Sequence, residues 1–164
     1  MLKKIVSGAQ TGVDRAALDL AREYGFETGG YVPAGRMAED GRIPDKYTGL
    51  TETVSGEPAE RTKLNVRHSD ATLVLTHGRP AAGTKLTIDI AHDLGKPVCH
   101  IDLDAVDLDA ALEVVRGWLS GTRCQTLNVA GPRSSEDAAI YRAAKQFLSR
   151  VVEDEKALAQ LSKG

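Results

Sequence analysis

Short apolar runs that end at glycine or a small polar residue alternate along the chain with longer segments whose apolar positions recur every three or four residues. This alternation predicts an α/β domain built on a largely parallel sheet. The first run, Lys4 to Ser7, reads as a buried strand. Behind it Val13, Ala16, Ala17, Leu20, Ala21 and Tyr24 keep helical spacing and Gly25 supplies a stop, so a helix is expected from about Val13 to Tyr24. Regularity fades from Gly29 to Thr53, where Gly29, Gly30, Pro33, Gly35, Gly41 and Pro44 leave room only for short strands near Tyr31 and Leu50 to Thr53. A long irregular stretch inside a compact domain is usually functional or mobile.

Further along, Pro58 suits a first helical turn, and Ala59 to His68 reads as a helix leading into the strand Ala71 to Leu75. A helix from Thr84 to Leu94, stopped by Gly95 and Pro97, precedes the strand Val98 to Ile101. An acidic connector, Asp104 to Asp109, leads to a short helix, Ala110 to Leu119, and a last strand, Thr126 to Ala130. Ile140, Ala143, Ala144, Phe147, Leu148 and Val151 mark a long C-terminal helix, whose polar end, Glu153 to Gly164, is expected to fray. No internal repeat and no low-complexity segment interrupts this series, which suits one domain across residues 1–164.

Composition narrows the function. Lys plus Arg (21) nearly balance Asp plus Glu (23), and aromatics make up 4%, so neither a basic field nor a stacking platform for nucleic acid is present. Cys99 and Cys124 form no Cys-x-x-Cys pair and read as small buried hydrophobes. The opening Met1 to Val6 reaches glycine too soon for a signal peptide, and no apolar run approaches a membrane span. A soluble cytoplasmic protein that binds neither nucleic acid nor membrane is the expectation.

Three turns that follow strands have unusual composition. In an open parallel sheet, ligands sit outside the carboxyl ends of the strands. The first turn is Ser7-Gly8-Ala9-Gln10-Thr11-Gly12-Val13-Asp14, with glycines for close backbone approach and hydroxyls and helix amides able to hold an oxyanion. It is neither a Walker loop nor a Gly-x-Gly-x-x-Gly fingerprint, and a tight turn with Asp14 offsetting the helix dipole accounts for it equally well. The second, Thr76-His77-Gly78-Arg79-Pro80-Ala81-Ala82-Gly83-Thr84, offers Gly83 for close approach and Thr84 either to cap the helix or to bind phosphate. The third, Ala130-Gly131-Pro132-Arg133-Ser134-Ser135-Glu136, joins a fixed cation to two hydroxyls at a helix start. One edge of one sheet carrying all three favours a phosphate-bearing ligand.

Other polar residues say less. Arg61 and Asn65 lie four apart on one helix face and either reach the same crevice or are simply solvated. His68, His77, His92 and His100 lack metal spacing, and no Gly-x-Ser-x-Gly elbow supports Ser7 or Ser134 as a nucleophile. Glu39, Asp40 and Asp45 lie in the irregular stretch, where carboxylates either do acid–base work or keep a loop hydrated.

The segments Ile5 to Leu18, Gly29 to Arg36, Glu39 to Gly41, Arg61 to Val66, Ser69 to Thr72, Gly83 to Thr87 and Leu127 to Arg133 together closely resemble the molybdenum cofactor carrier family, the circularly permuted YpsA-related group, over about Leu2 to Ala144. The resemblance implies a Rossmann-like three-layer domain related to DprA and to the lysine-decarboxylase-like LOG proteins, but circularly permuted. The Gly131-Pro132-Arg133 turn comes last here and the Ser7 to Asp14 turn first, and the resemblance implies that their strands are neighbours. It also implies binding of a nucleotide or related phosphorylated ligand, here molybdenum cofactor (molybdopterin), a related pterin or a nucleotide, together with assembly as a homodimer or homotetramer. Molybdoenzyme apoproteins are the partners such a carrier would serve. LOG-type phosphoribohydrolases carry Gly-Gly-x-Gly-Thr-x-x-Glu with a catalytic Glu; Thr87 stands at that position here, which disfavours their hydrolysis. The C-terminal helix, with Ala143 and Ala144, suits either a subunit interface or core packing.

The candidate ligand-binding residues are therefore Ser7, Gly8, Ala9, Gln10, Thr11, Gly12 and Asp14 from the first turn; Gly30, Arg61 and Asn65; Gly78, Gly83 and Thr84 from the second; and Gly131, Arg133 and Ser134 from the third. No catalytic or metal-ligating residue is assigned. The ligand's heterocycle is expected under the Gly29 to Thr53 stretch. The rival expectation is an enzyme acting on a nucleotide, with Asp14, Arg61 or Glu39 helping, and a third is a nucleotide-sensing module.

Overall fold

The computed structural model describes all residues, 1–164. Its strands are β1 (Lys4–Val6), β2 (Glu27–Val32), β3 (Met37–Ala38), β4 (Gly41–Arg42), β5 (Leu50–Glu52), β6 (Ala71–Thr76), β7 (Val98–Asp102) and β8 (Thr126–Ala130). The helices are α1 (Val13–Glu23), α2 (Pro58–Arg67), α3 (Ala82–Asp93), α4 (Leu108–Thr122) and α5 (Ile140–Leu161). Six strands form one sheet in the order β5-β2-β1-β8-β6-β7, with every pairing parallel, as the alternation of apolar runs and helical segments requires. The first strand lies directly beside the last, Ile5 opposite Leu127, so the permuted turns are neighbours.

A strand presents alternate residues to opposite faces, and this sheet uses that alternation to make two unlike surfaces. Ile5, Leu73, Leu75, Ile101, Leu127 and Val129 point to one side, where α1, α4 and α5 close a 24-residue core. Phe147, Leu148 and Ala144 of α5 lie in that core, whereas Ala143 is half-buried outside it. The opposite face shows Thr72, Thr76 and Asn128, all buried, beneath α2 and α3. A smaller cluster of Ala9, Leu18, Val32, Ile43 and Tyr47 fastens the irregular stretch to α1.

Several expected boundaries move. Helix α3 begins at Ala82, two residues before Thr84, and Ala81 occupies its N-cap without a side-chain bond. Thr84 is therefore inside the first turn and is not the cap. Helix α4 starts at Leu108 because the Asp107 side chain accepts from the Ala110 amide at 3.1 Å, turning the end of the acidic connector into a cap. Helix α5 runs on to Leu161 instead of fraying at Glu153; Glu153, Glu155 and Asp154 reach back to Tyr24, Leu2 and Arg116, which fastens the polar segment. Within the irregular stretch a small antiparallel hairpin, β3–β4, stands apart from the main sheet.

Candidate functional site

The N-terminal part of α3, one face of α2 and parts of the first and third turns enclose a crevice of about 300 Å³ at the carboxyl end of β8. Its walls include Gly8, Gln10, Asp14, Arg61, Asn65, Gly83, Thr84, Gly131 and Arg133 among the expected residues. Ser7, Ala9, Thr11, Gly12, Gly30, Gly78 and Ser134 do not line it. The Ser7 hydroxyl is buried and bridges its own turn, donating to the Asp14 carbonyl at 2.9 Å and accepting from the Ala9 amide at 3.2 Å. Gly12, at φ +80°, lies where an added Cβ would stand 2.2 Å from the Pro132 carbonyl oxygen, so it serves the contact between the first and third turns. That contact is closed by Val13 N–H to Pro132 O at 3.3 Å and Ser134 N–H to Thr11 Oγ1 at 3.0 Å. Ala9, fully buried at φ 56°, packs in the satellite cluster. Gly78 donates its amide to Asp102 at 2.8 Å, behind the turn.

The space beneath 29–53 is not the crevice: none of these residues lines it. Val32, Ile43 and Tyr47 fill that stretch with their own packing. Gly30, Tyr31, Gly49 and Thr51 instead border a second cavity of about 170 Å³, with Lys4 and His68. Asn65 borders both, and its amide pins α2 to the sheet, accepting from Tyr31 N–H at 2.7 Å and donating to Tyr31 O at 3.0 Å.

The crevice chemistry centres on Asp14 and Arg61. Asp14 is 8% exposed, and its Oδ2 accepts from the Gln10 amide at 3.3 Å. Burial of this carboxylate pushes its pKa from the ordinary 3.8 up to about 6, against the opposing pull of Arg61 and of the amides. The Arg61 Nη1 is 3.9 Å away, too far to hydrogen-bond, so desolvation outweighs the attraction. That same Nη1 donates to Gly8 O at 2.7 Å, while the buried Nε of Arg61 has no partner. A buried N–H without an acceptor costs about 1–3 kcal/mol. Gly8 is needed here because an added Cβ would lie 1.8 Å from Arg61 Nη1 and 3.1 Å from Asp14 Oδ2.

Two anion positions foreseen in the turns are taken by the protein's own carboxylates. The Gln10 amide of the first turn faces Asp14, and Glu39 reaches from the β3–β4 hairpin to the hydroxyls of Thr11 and Ser135. Those bonds hold the Glu39 carboxyl below its usual range. What remains open is the start of α3, where Ala82, Gly83 and Thr84 lack intrahelical acceptors and no side chain caps them. Thr84 is 5% exposed and borders the crevice beside this end. Sequence reasoning missed Asn128 and Glu136, which also line the crevice. The buried Asn128, donating to Thr72 Oγ1 at 3.3 Å, was signalled by an amide inside an otherwise apolar strand. Thr87, at the position of the LOG acid, is buried against the crevice with its hydroxyl 3.3 Å from Gly83 O.

The donor set suits an anion and not a bare metal ion. No group of three or more His, Cys, Asp or Glu side chains is placed to hold one, and Cys124 is 2% exposed in the main core.

The model of the circularly permutated YpsA SLOG family matches residues 5–152. The chain belongs to this family. Among solved structures, it is similar to a protein from Syntrophus aciditrophicus SB named as a putative molybdenum carrier protein, with 42% identity, a TM-score of 0.89, and 92% of this chain and 94% of that chain covered. No curated protein matches it. The family's permuted order agrees with the adjacency of β1 and β8, and no helix of the chain is long and apolar enough to cross a membrane.

Proposed function

We propose that this protein binds and carries a small phosphorylated ligand, molybdenum cofactor or a related phosphorylated pterin or nucleotide, with the phosphate at the start of α3. The observation that carries this reading is the uncapped first turn of α3, whose Ala82, Gly83 and Thr84 line a crevice shared with Arg61. A phosphate oxygen supplies the acceptor these amides lack, the helix end adds its own positive potential, and the Arg61 charge lies alongside. Asp14 is neutral more often than an ordinary carboxyl, and in its protonated form it donates a hydrogen bond to a phosphate oxygen. The similar structure's name supports a carrier role, in which molybdoenzyme apoproteins are the recipients. Molybdenum would arrive held by the cofactor's dithiolene, since the crevice offers donors to the phosphate end only.

Native mass spectrometry of freshly purified protein, with metal analysis and fluorescence of oxidised pterins, tests the ligand. Pterin with molybdenum supports the cofactor; a nucleotide alone supports the nucleotide form; Arg61→Ala is expected to lose at least tenfold in affinity for either. Unchanged affinity in Arg61→Ala rejects the crevice as the phosphate site.

One observation favours a second reading. A carboxyl with a pKa of about 6 beside an arginine in a cleft is a candidate acid–base group. Incubation with nucleoside monophosphates decides: release of free base, lost in Asp14→Asn, makes the protein a hydrolase, and no release leaves the carrier reading in place.

A further inference from the structure

The β3–β4 hairpin places Glu39 in a ring of donors beside the crevice. Glu39 Oε1 accepts from the Thr11 hydroxyl and from the Ser135 amide at 3.1 Å, and Oε2 accepts from the Ser135 hydroxyl. Arg133 Nε lies 3.8 Å from Oε2 and is shared with Glu136, whose Oε1 it reaches at 3.0 Å. The Glu39 side chain is only 19% exposed although it comes from a surface hairpin. Two hydroxyls, one backbone amide and one guanidinium are the donors that tetrahedral oxyanions take in proteins.

The donors and the carboxylate belong to different kinds of structure. Thr11, Ser135 and Arg133 sit on turns at the sheet edge, joined by the Ser134 N–H to Thr11 bond. Glu39 sits on a hairpin whose strands pair only with each other, tied down through Glu39 N–H to Gln10 Oε1 at 2.9 Å and by the Arg15–Asp40 ion pair. The donors thus belong to the sheet-edge turns, and the carboxylate reaches them from a separate hairpin. Arg133 and Gln10 also line the crevice, so the nest opens next to it.

We propose that the Thr11, Ser135 and Arg133 nest is a second oxyanion site, held by Glu39 in the free protein and yielded to a tetrahedral oxyanion, either free or carried as the second phosphate of the crevice ligand. Only the latter alternative rests on the crevice reading. A resident carboxylate competes at high effective concentration, so small free anions bind weakly, whereas a ligand anchored at α3 competes intramolecularly. Ligands with two anionic groups are therefore preferred.

Titration of inorganic phosphate by calorimetry and phosphorus NMR into the full chain, Glu39→Gln, Glu39→Ala and Glu39→Ala/Arg133→Ala tests this. Glu39→Ala is expected to gain a phosphate site at least tenfold tighter than any the unmodified protein shows at the nest, and the double variant to lose it. Glu39→Gln keeps an acceptor for Thr11 and the Ser135 amide, so it is expected to melt like the unmodified protein and to show a smaller gain. No gain in either single variant, with inorganic phosphate or with a nucleoside diphosphate, overturns the proposal. Phosphate bound by the unmodified protein without a gain in the variants leaves the crevice standing and removes the nest; a gain in the variants without binding by the unmodified protein does the reverse. Comparing a nucleoside diphosphate with its monophosphate separates the sources: a gain confined to the diphosphate assigns the second group to the ligand, and one seen with inorganic phosphate alone assigns it to a free oxyanion.

Discussion

The two faces of the central sheet come from the same strands, one residue apart, yet they have opposite characters. Leu73, Leu75, Leu127 and Val129 lie in a dry core under α1, α4 and α5. Their neighbours Thr72, Thr76 and Asn128 are equally buried but face α2 and α3, whose outward residues stay largely exposed. The first face stabilises by area removed from water. The second places polar groups where water is scarce, each held by a specific partner, and its upper end opens into the crevice. Stability and binding are thus assigned to different faces of one layer, which permits a polar crevice without weakening the core.

That division can be broken most severely from the apolar side. Leu73→Ala, at a site with no solvent exposure, is expected to lose about 2–5 kcal/mol in urea unfolding, with phosphate affinity unchanged while the protein remains folded. A loss of affinity of the same size would show that the faces are not separable.

The next test uses pH. Burial keeps the Asp14 carboxyl protonated to about pH 6 in the folded chain, whereas in the unfolded chain it titrates at its ordinary 3.8. The folded state binds the extra proton between these values, so this contribution to stability is complete below the lower one and is lost as pH rises through the upper. The change is on the order of 3 kcal/mol. Asp14→Asn is expected to remove it, so that the unmodified protein loses about 3 kcal/mol of stability relative to the variant as pH rises from 4 to 6. Glu39 and Asp40, held below their usual range, act in the opposite sense at more acidic pH and cancel in that difference.

Gly8→Ala sharpens the contrast from the binding side. Its new Cβ meets side-chain atoms, Arg61 Nη1 at 1.8 Å and Asp14 Oδ2 at 3.1 Å, and not backbone, so the guanidinium gives way with the loss of its bond to Gly8 O. Phosphate affinity is expected to fall about tenfold, roughly 1.4 kcal/mol, with the melting temperature nearly unchanged. The smallest effect belongs to Asn128→Ala, which removes one buried bond to Thr72 and is expected to cost about 1 kcal/mol by thermal unfolding.

Much of the layer architecture was legible because it is periodic. The strand near Ala71, the helix from Val13 and the strand from Thr126 follow from apolar spacing alone, and the structure places them where that spacing predicts. The β3–β4 hairpin was not legible, since two-residue strands carry no period and their partners are each other. Nor was the start of α3: Thr84 has the chemistry of a cap, but the preceding alanines already satisfy the helix and carry it two residues earlier. Among the site residues, Arg61 and Asn65 were suggested by four-residue spacing. Glu39 was read as a loop acid and as a helper in the rival enzyme reading, not as a partner of Thr11 and Ser135, because that meeting joins residues separated by 28 and 96 positions.

Local physics in the chain therefore settled the parallel α/β arrangement, the glycine-marked turns at the strand ends and the balance of charge, since each depends on neighbouring residues. Tertiary structure alone decided which donors remain open. Whether an amide or guanidinium is free for a ligand depends on whether some distant carboxylate has already reached it, as Asp14 and Glu39 have, while Arg61 Nε and the first turn of α3 remain without an acceptor.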